Sequence, residues 1–330
     1  MPANLTQQYR KAEQAYRQAT TPQEELDCLQ TMLVELPKHK GTDKMQAELK
    51  QKISKVKKEI SDSGKSGGKK PGFRLPKQGA GRAVIIGSPN CGKSQLLATL
   101  TNASPVIADY PFTTTQPLPG MMLWEDVPIQ LVDTPPITQE VYDPVNQNLI
   151  RGADVVILML DLGSDDGVQL FNDVLQKIGD KKTRLGKETC LDEDDIGVAY
   201  TATLLAINKC DLPEAADRLE FFREFMDVDF EEFQISATNE ESLEALRTRI
   251  YEQLDVVRVY TKMPHKKEAD FDKPFTIRRG GTLADVAELI HKDFAKNLKS
   301  ARVWGSEVHD GTPVKGDYIL HDKDIVEINI

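Results

Sequence analysis

The chain has 330 residues, 42 Lys and Arg against 52 Asp and Glu, and a formal net charge of -10 at pH 7. That length suits two or three domains rather than one core, the 39% hydrophobic and 28% charged content is that of a globular protein, and the acidic balance excludes a polycation that coats nucleic acid. The charge is uneven, however: the first eighty residues carry roughly seven more Lys and Arg than Asp and Glu, so a basic arm can still touch a phosphate backbone.

Cys28, Cys91, Cys190 and Cys210 are scattered without CxxC spacing, which predicts reduced thiols rather than a disulfide framework or a zinc site. The start, MPANLTQQYRKAEQ, is polar and unlike a secretory signal. The longest apolar runs are strand-length, too short for a bilayer. A cytoplasmic protein without a membrane partner is expected.

Residues 1–60 read as a helical region. Thr21, Pro22 and Glu24 form a capping-box start with proline at the first helical position. Leu26, Leu29, Leu33 and Leu36 follow at helical spacing, and Pro37 ends the run. Thr42 or Asp43 caps a second stretch in which Met45, Leu49, Ile53, Val56 and Ile60 form a stripe. Lys50, Lys52, Lys55, Lys57 and Lys58 occupy its other faces, either as a solvated surface or as a contact for RNA or a partner. Residues 61–80 begin SDSGKSGGKKPG, rich in Gly, Ser and Lys, and read as a flexible basic linker.

From 81 to 255 short apolar runs alternate with helical segments. AVIIG, IQLVDT, VVILMLD, TLLAIN and FQIS read as strands, and residues 94–100, 169–178, 215–225 and 242–254 as helices. This alternation predicts an α/β domain with a mostly parallel sheet whose ligand sits at the C-terminal strand ends. Residues 179–197 are highly charged and aperiodic, and read as a surface insertion. From 256 to 330 alternating strands surround one helix, with Thr282 as N-cap, Asp285 three residues on, and Val286, Leu289, Ile290 and Phe294 along one face. A small α+β domain with its own core is expected.

GSPNCGKS, residues 87–94, has the GxxxxGK[ST] spacing of a phosphate loop, and a strand precedes it and a helix follows. Gly87 and Gly92 let the backbone of Ser88, Pro89, Asn90 and Cys91 curl, so that N–H groups face the phosphates. The helix N-terminus adds partial positive charge. Lys93 would reach the β and γ phosphates and Ser94 a magnesium ion. Asp133, ending IQLVD, is placed to hold that ion through water.

The base is read by NKCD, residues 208–211. Asp211 can accept from N1–H and N2–H₂ of guanine, donors that adenine lacks. Asn208 can bond the other edge, and the Lys209 stem can cover the ring. Ser236, Ala237 and Thr238 follow FQI and offer a backbone N–H to O6. Adenine would leave Asp211 unpaired, so GTP and GDP are the expected ligands. An adenine-nucleotide enzyme is the reading that Asp211 opposes.

These motifs together resemble the Obg-related branch of translation-factor-type GTPases, most closely the developmentally regulated GTP-binding (DRG) proteins. The resemblance rests on GSPNCGKSQLL, on YPFTTTQPLPG as a first switch, and on KPFTIRRGGTLADVAELIHKDF, ARVWG and DKDIVEI as a TGS domain. HKGTDKMQAELKQKISKVKKEI is similar to the helical arm of that family. It implies a P-loop GTPase domain between a helical N-terminal region and a small ubiquitin-like TGS domain. It adds Gln95, Phe112 and Thr113 to the nucleotide site and gives Thr114 the magnesium and γ-phosphate. It gives Asn90 a potassium ion in place of an arginine finger. Partners of the family's kind, a ribosome, RNA or a translation-related protein, would meet the arm and the TGS domain. Arg278, Arg279, Lys292, Lys296, Lys299 and Arg302 offer the latter a local basic face, and Trp304 is either core or a base-stacking surface.

Two positions depart from the family pattern. Where it has D-x-P-G, this chain reads Asp133, Thr134, Pro135, Pro136. Glycine there gives a backbone N–H to the γ-phosphate, and Pro136 has none to give. Ile137 stands where many GTPases orient water with glutamine, which an apolar side chain cannot do. A stiff second switch and slow hydrolysis are expected. The alternative is a non-hydrolysing guanine-nucleotide-dependent interaction module.

Overall fold

A computed structural model describes residues 7–19, 22–37, 42–63, 75–101, 116–192, 198–264, 266 and 268–329. The N-terminal region contains α1 (Gln7–Gln18), α2 (Pro22–Glu35) and α3 (Asp43–Ser63). Leu29, Leu49, Met32 and Leu36 are buried with Tyr9 and Tyr16, and Met45 and Ile53 pack around them. The leucine and isoleucine stripes of the sequence thus face one another. Lys50, Lys55 and Lys57 are exposed. Helix α3 runs to Ser63, so the expected linker begins as helix; residues 64–74 and Thr21 lie outside the described residues.

The central domain runs through β1 (Arg82–Gly87), α4 (Lys93–Leu100), β2 (Leu118–Trp124), β3 (Val127–Asp133), α5 (Pro144–Arg151) and β4 (Val155–Asp161). It continues with α6 (Gly167–Gly179), β5 (Thr183–Gly186), β6 (Cys190–Leu191), β7 (Ala199–Asn208), α7 (Ala215–Phe225), β8 (Glu231–Gln234) and α8 (Glu240–Leu254). The sheet order is β2-β3-β1-β4-β7-β5, with β6 and β8 also on β7. The pairs β1–β3, β1–β4, β4–β7 and β7–β8 are parallel, with Val84 beside both Val132 and Val156. Every residue of β1 and β4 is buried, as expected for strands covered on both faces. One apolar layer lies under α4 and α8, and the other under α5, α6 and α7.

Four elements here were not anticipated. Strand β2 pairs antiparallel to β3 through a hairpin at Glu125 and Asp126. Helix α5 starts at Asp143, whose side chain accepts from the Val145 N–H, with Pro144 in the first turn. Part of the charged stretch taken for a surface insertion is sheet: β5 and β6 both pair with β7. Residues 193–197 lie outside the described residues.

The C-terminal domain comprises β9 (Val256–Thr261), β10 (Asp270–Arg278), α9 (Leu283–Ile290), α10 (Lys292–Asn297), β11 (Ser300–Gly305), β12 (Val308–Val314) and β13 (Asp324–Asn329). Its sheet order is β10-β9-β13-β11-β12, with first and last strands parallel at the centre, as in ubiquitin-like folds. Asp285 accepts from the Thr282 N–H at 2.7 Å, as the capping spacing predicts. The expected continuous helix breaks at His291, which is extended (φ -166, ψ 139). Val286 is buried, but Leu289 is 57% exposed, because the core face of α9 is Leu283, Val286, Ala287 and Ile290, at three- and four-residue spacing, and Leu289 lies off it. Trp304 is half-buried, with the Lys262 ammonium 4.3 Å above its ring.

Arg258 joins the two sheets. It is buried, donates to Asp322 at 2.7 Å and to Asp126 at 3.2 Å, pairs with Glu125, and lies 5.2 Å from the Trp124 ring centroid. Trp124 in turn stacks on Tyr251 at 3.7 Å.

Candidate nucleotide-binding site

The loop after β1 carries the special backbone that a phosphate cradle needs. Asn90 has φ +59 and Gly92 has φ +98. A Cβ on Gly92 would stand 2.2 Å from Asn208 Nδ2, so only glycine fits there. Lys93 opens α4 and is buried; its ammonium donates to the Ser88 carbonyl at 2.7 Å and to Gly87 at 3.3 Å. Ser94 Oγ donates to Asp133 Oδ2 at 2.5 Å. Two of the three expected magnesium ligands, 39 residues apart in sequence, therefore meet. A hydroxyl and a buried carboxylate on one spot are hard oxygen donors, and they fit that ion. Burial pushes the Cys91 thiol up, with Lys93 nearby working the other way. Gln95 lies in the first turn of α4 and donates to Thr99.

The base motifs lie on the same end of the sheet. Lys209 has φ +64, and Asp211 is exposed. Asn208 has a role beyond the expected one. It is 2% exposed; its Nδ2 donates to the Cys91 carbonyl at 2.8 Å and its Oδ1 accepts from the Ala237 N–H at 2.9 Å. Each end of the amide makes one bond, so Asn208 braces the phosphate loop against the 236–238 loop, while Nδ2 keeps a second hydrogen. Of the backbone N–H groups of 236–238 offered to O6, that of Ala237 is engaged in the brace and that of Ser236 donates to Ser242 Oγ. Ser236 Oγ and Thr238 Oγ1 are 3.0 Å apart, and Thr99 Oγ1 donates to the Ala237 carbonyl at 2.6 Å. Phe112, Thr113 and Thr114 lie outside the described residues.

One contributor is absent from the motif reading. Asp161, at the end of β4, accepts from Lys209 Nζ at 2.7 Å and from the Gly163 N–H at 2.7 Å. A Cβ on Gly163 would lie 2.5 Å from Lys209 Cδ. The only signal in the sequence is the polar residue that ends VVILMLD, a position shared with many strand ends.

The second switch is built into the core. Residues 131–137 are all buried. Thr134 Oγ1 donates to the Ile85 carbonyl at 2.8 Å, Asn146 Nδ2 to the Pro135 carbonyl at 3.0 Å, and the Ile137 N–H to the Gly87 carbonyl at 3.1 Å. Ile137 is 1% exposed within the layer under α5 and α6. Gln139, the next glutamine along the chain, turns its side chain to Asp173 and Gln176.

Residues 82–191 match the family model described as 50S ribosome-binding GTPase, and residues 257–329 match the TGS domain. An uncharacterized GTP-binding protein of Methanocaldococcus jannaschii is 30% identical over 93% of this chain and 93% of its own. Developmentally-regulated G-protein 2 of Arabidopsis thaliana is 27% identical over 92% of this chain and 90% of its own. The developmentally-regulated GTP-binding protein 2 homolog of Dictyostelium discoideum is 27% identical over 92% and 98%. Among solved structures, the Schizosaccharomyces pombe YchF GTPase superposes with a TM-score of 0.51 at 12% identity, covering 79% of this chain and all of that one, which is a likeness of fold. A P-loop beside Asp133, an NKCD loop and a C-terminal TGS sheet, together with relatives matched over at least 90% of both chains, place the chain in the family of DRG-type GTP-binding proteins.

Proposed function

We propose that this protein binds GTP and GDP with magnesium, hydrolyses GTP slowly, and acts in the cytoplasm with a ribosome, RNA or a translation-related protein. The observation that carries the nucleotide part is the Asn208 brace, which ties the phosphate loop to the 236–238 loop at 2.8 and 2.9 Å. Phosphate and base subsites are thereby one rigid unit. On this reading Lys93 exchanges the carbonyls of Gly87 and Ser88 for β- and γ-phosphate oxygens, charge-assisted bonds of about twice the neutral strength. Lys209 covers the ring face, and Asp211 accepts from the two guanine donors. Magnesium, when bound, would be held by Ser94 and Asp133, with Thr114 from the first switch, and would neutralise phosphate charge.

Slow hydrolysis follows from the second switch. Pro136 offers no N–H to the γ-phosphate, and Ile137 is buried with its own N–H on Gly87. Nothing in the 133–137 segment can orient water by a side-chain amide. The same pinning favours the second reading, a module that holds guanine nucleotide without turning it over. The division into 1–60, 61–80, 81–255 and 256–330 belongs to this proposal. So does the ribosome or RNA link through the arm and the TGS domain, supported by the match to the 50S ribosome-binding GTPase family. No helix among the described residues is long and apolar enough to cross a membrane.

Multiple-turnover phosphate release separates the two readings. Slow release that Lys93→Ala abolishes supports the enzyme; release equal in parent and variant is contamination. Stimulation by potassium over sodium, lost in Asn90→Asp, supports a potassium role for Asn90. Co-sedimentation with ribosomes, compared between a non-hydrolysable GTP analogue and GDP, tests the partner.

A further inference from the structure

The helical arm, the GTPase domain and the TGS domain meet around a gap of about 170 Å³. It lies near Asp154, beside the start of β1 and β4, whereas the phosphate loop follows their other end. Its wall carries Arg17 of α1, Arg151 at the end of α5 and Arg278 at the end of β10. Three guanidinium groups from distant parts of the chain thus converge. Asp154 and Asp255 line the gap as well.

The carboxylates are already answered. Lys77 Nζ lies 3.1 and 3.2 Å from the two Asp154 oxygens, and the Arg82 backbone N–H donates to one of them at 2.8 Å. Arg279 Nε donates to Asp255 at 2.9 Å. Arg151 is answered by Glu25, donates to the Tyr16 carbonyl at 2.9 Å, and lies over the Tyr16 ring.

Arg17, which feels the Glu13 carboxylate one turn back on α1, and Arg278 keep donors to spare. Arg17 Nη1 donates to the Thr189 carbonyl at 3.0 Å, while its buried Nε meets no acceptor among the described residues. Arg278 stands 3.9 Å from Asp154, at the limit of pairing, and its side chain is 62% exposed. Its remaining neighbour is the Gln14 amide, whose oxygen accepts at 3.0 Å when turned toward it. Arg278, expected on a basic face of the TGS domain, lines this gap, and Arg279 pairs with Asp255 beside it.

We propose that the junction is a binding site for a phosphate-class oxyanion, held between Arg17 of the arm and Arg278 of the TGS domain. A guanidinium fork matches two oxygens of a tetrahedral anion. The volume admits such an anion with some hydration water. The bound anion supplies the acceptor that Arg17 Nε lacks and links arm to TGS domain, so its occupancy biases how those two units sit on the GTPase domain. The same chemistry is offered by free phosphate and by the backbone phosphates of RNA. The site is independent of the GTP reading.

The test uses the full chain loaded with magnesium and a non-hydrolysable GTP analogue, which fills the phosphate loop. Inorganic phosphate is titrated at constant ionic strength while the unfolding temperature is followed, and a short single-stranded RNA is titrated by fluorescence anisotropy. Parent protein should show saturable binding of one or both, weakened about tenfold or more in Arg278→Gln and unchanged in Arg223→Gln, a surface arginine of α7; tenfold is about the loss of one charge-assisted hydrogen bond. Arg278 is exposed enough that its replacement leaves the fold intact, and analogue binding verifies this. Phosphate saturation without RNA binding assigns the free anion. RNA binding that phosphate displaces assigns a backbone phosphate. No saturable effect of either, or equal effects in parent and Arg278→Gln, overturns the proposal.

Discussion

The Asp161 carboxylate holds the Lys209 ammonium at 2.7 Å, across the gap between the ends of β4 and β7. Asp161 is itself fixed by the Gly163 N–H, and Gly163 has no side chain to collide with the Lys209 stem. The lysine that would cover the guanine ring is thus set in place before nucleotide arrives. Asp161→Asn should weaken both GTP and GDP about tenfold, the loss of one charge-assisted bond, while leaving the preference over ATP intact. Titration of a fluorescent GDP analogue, with ATP as competitor, reads both quantities. A loss of preference would mean that Asp161 touches the base itself.

On the proposed reading Asp211 selects the base. It is exposed, so its replacement costs the fold little. Asp211→Asn reverses one acceptor into a donor and should move preference from guanine to xanthine nucleotides. Competition of xanthosine against guanosine diphosphate measures it, and an unaltered preference refutes the assignment.

The second switch invites a paired substitution. Pro136→Gly restores an N–H and loosens the segment between its anchors on Ile85 and Gly87. The ratio of GTP to GDP affinity should rise severalfold and phosphate release with it, at a stability cost of about 0.5–1 kcal/mol. Ile137→Gln should behave otherwise. Its amide would sit in the apolar layer with Val84, Ile86 and Leu149, destabilising by about 3 kcal/mol without activating hydrolysis. Calorimetry and urea unfolding distinguish the two; activation by Ile137→Gln would show that this side chain can swing toward the nucleotide.

Arg258 is the rivet between the GTPase and TGS sheets. Arg258→Met strands Glu125, Asp126 and Asp322 beside one another, a loss of about 2 kcal/mol once their partial exposure is allowed for. Nucleotide binding should persist, because the Glu125 and Asp126 hairpin is at the end of β3 remote from Asp133. Urea unfolding of parent and variant, read with nucleotide affinity, checks both.

The same rivet has a pH signature. Burial pushes the Asp322 carboxyl up, but the hydrogen bonds and charge of Arg258 outweigh it and hold the group below its ordinary value. A depressed carboxylate stabilises the fold above its unfolded pKa, about 3.9, and that stability is lost as pH falls through the lower folded value. Asp324, raised by burial, has the opposite sign and titrates first. The stability difference between parent and Arg258→Met should therefore shrink below about pH 4, and a difference constant with pH would remove Asp322 from the account.

Much of the site was legible because its chemistry is local in sequence. Eight consecutive residues define the phosphate loop, four define the base loop, and Thr282 with Asp285 defines a helix start. The Pro136 departure was equally plain, since a missing N–H needs no tertiary context. Helix α5 was not expected although Asp143 and Pro144 mark it, because its eight residues, Pro144–Arg151, are too few to set up a clear period. Strands β5 and β6 were missed because their charged sequence has no period of its own; β7 supplies the pairing.

The sequence by itself determined the ligand class, the order of the units and the defect in the second switch, since each rests on residue types at fixed short spacing. Only the tertiary structure decided that Asn208 is a brace, that Asp161 sets Lys209, that Ile137 is sealed in the core, and that Arg17 and Arg278 share one gap. Those are proximities between residues tens to hundreds of positions apart. They arise from packing of apolar faces that many sequences could satisfy, and polar partners meet only once that packing is fixed.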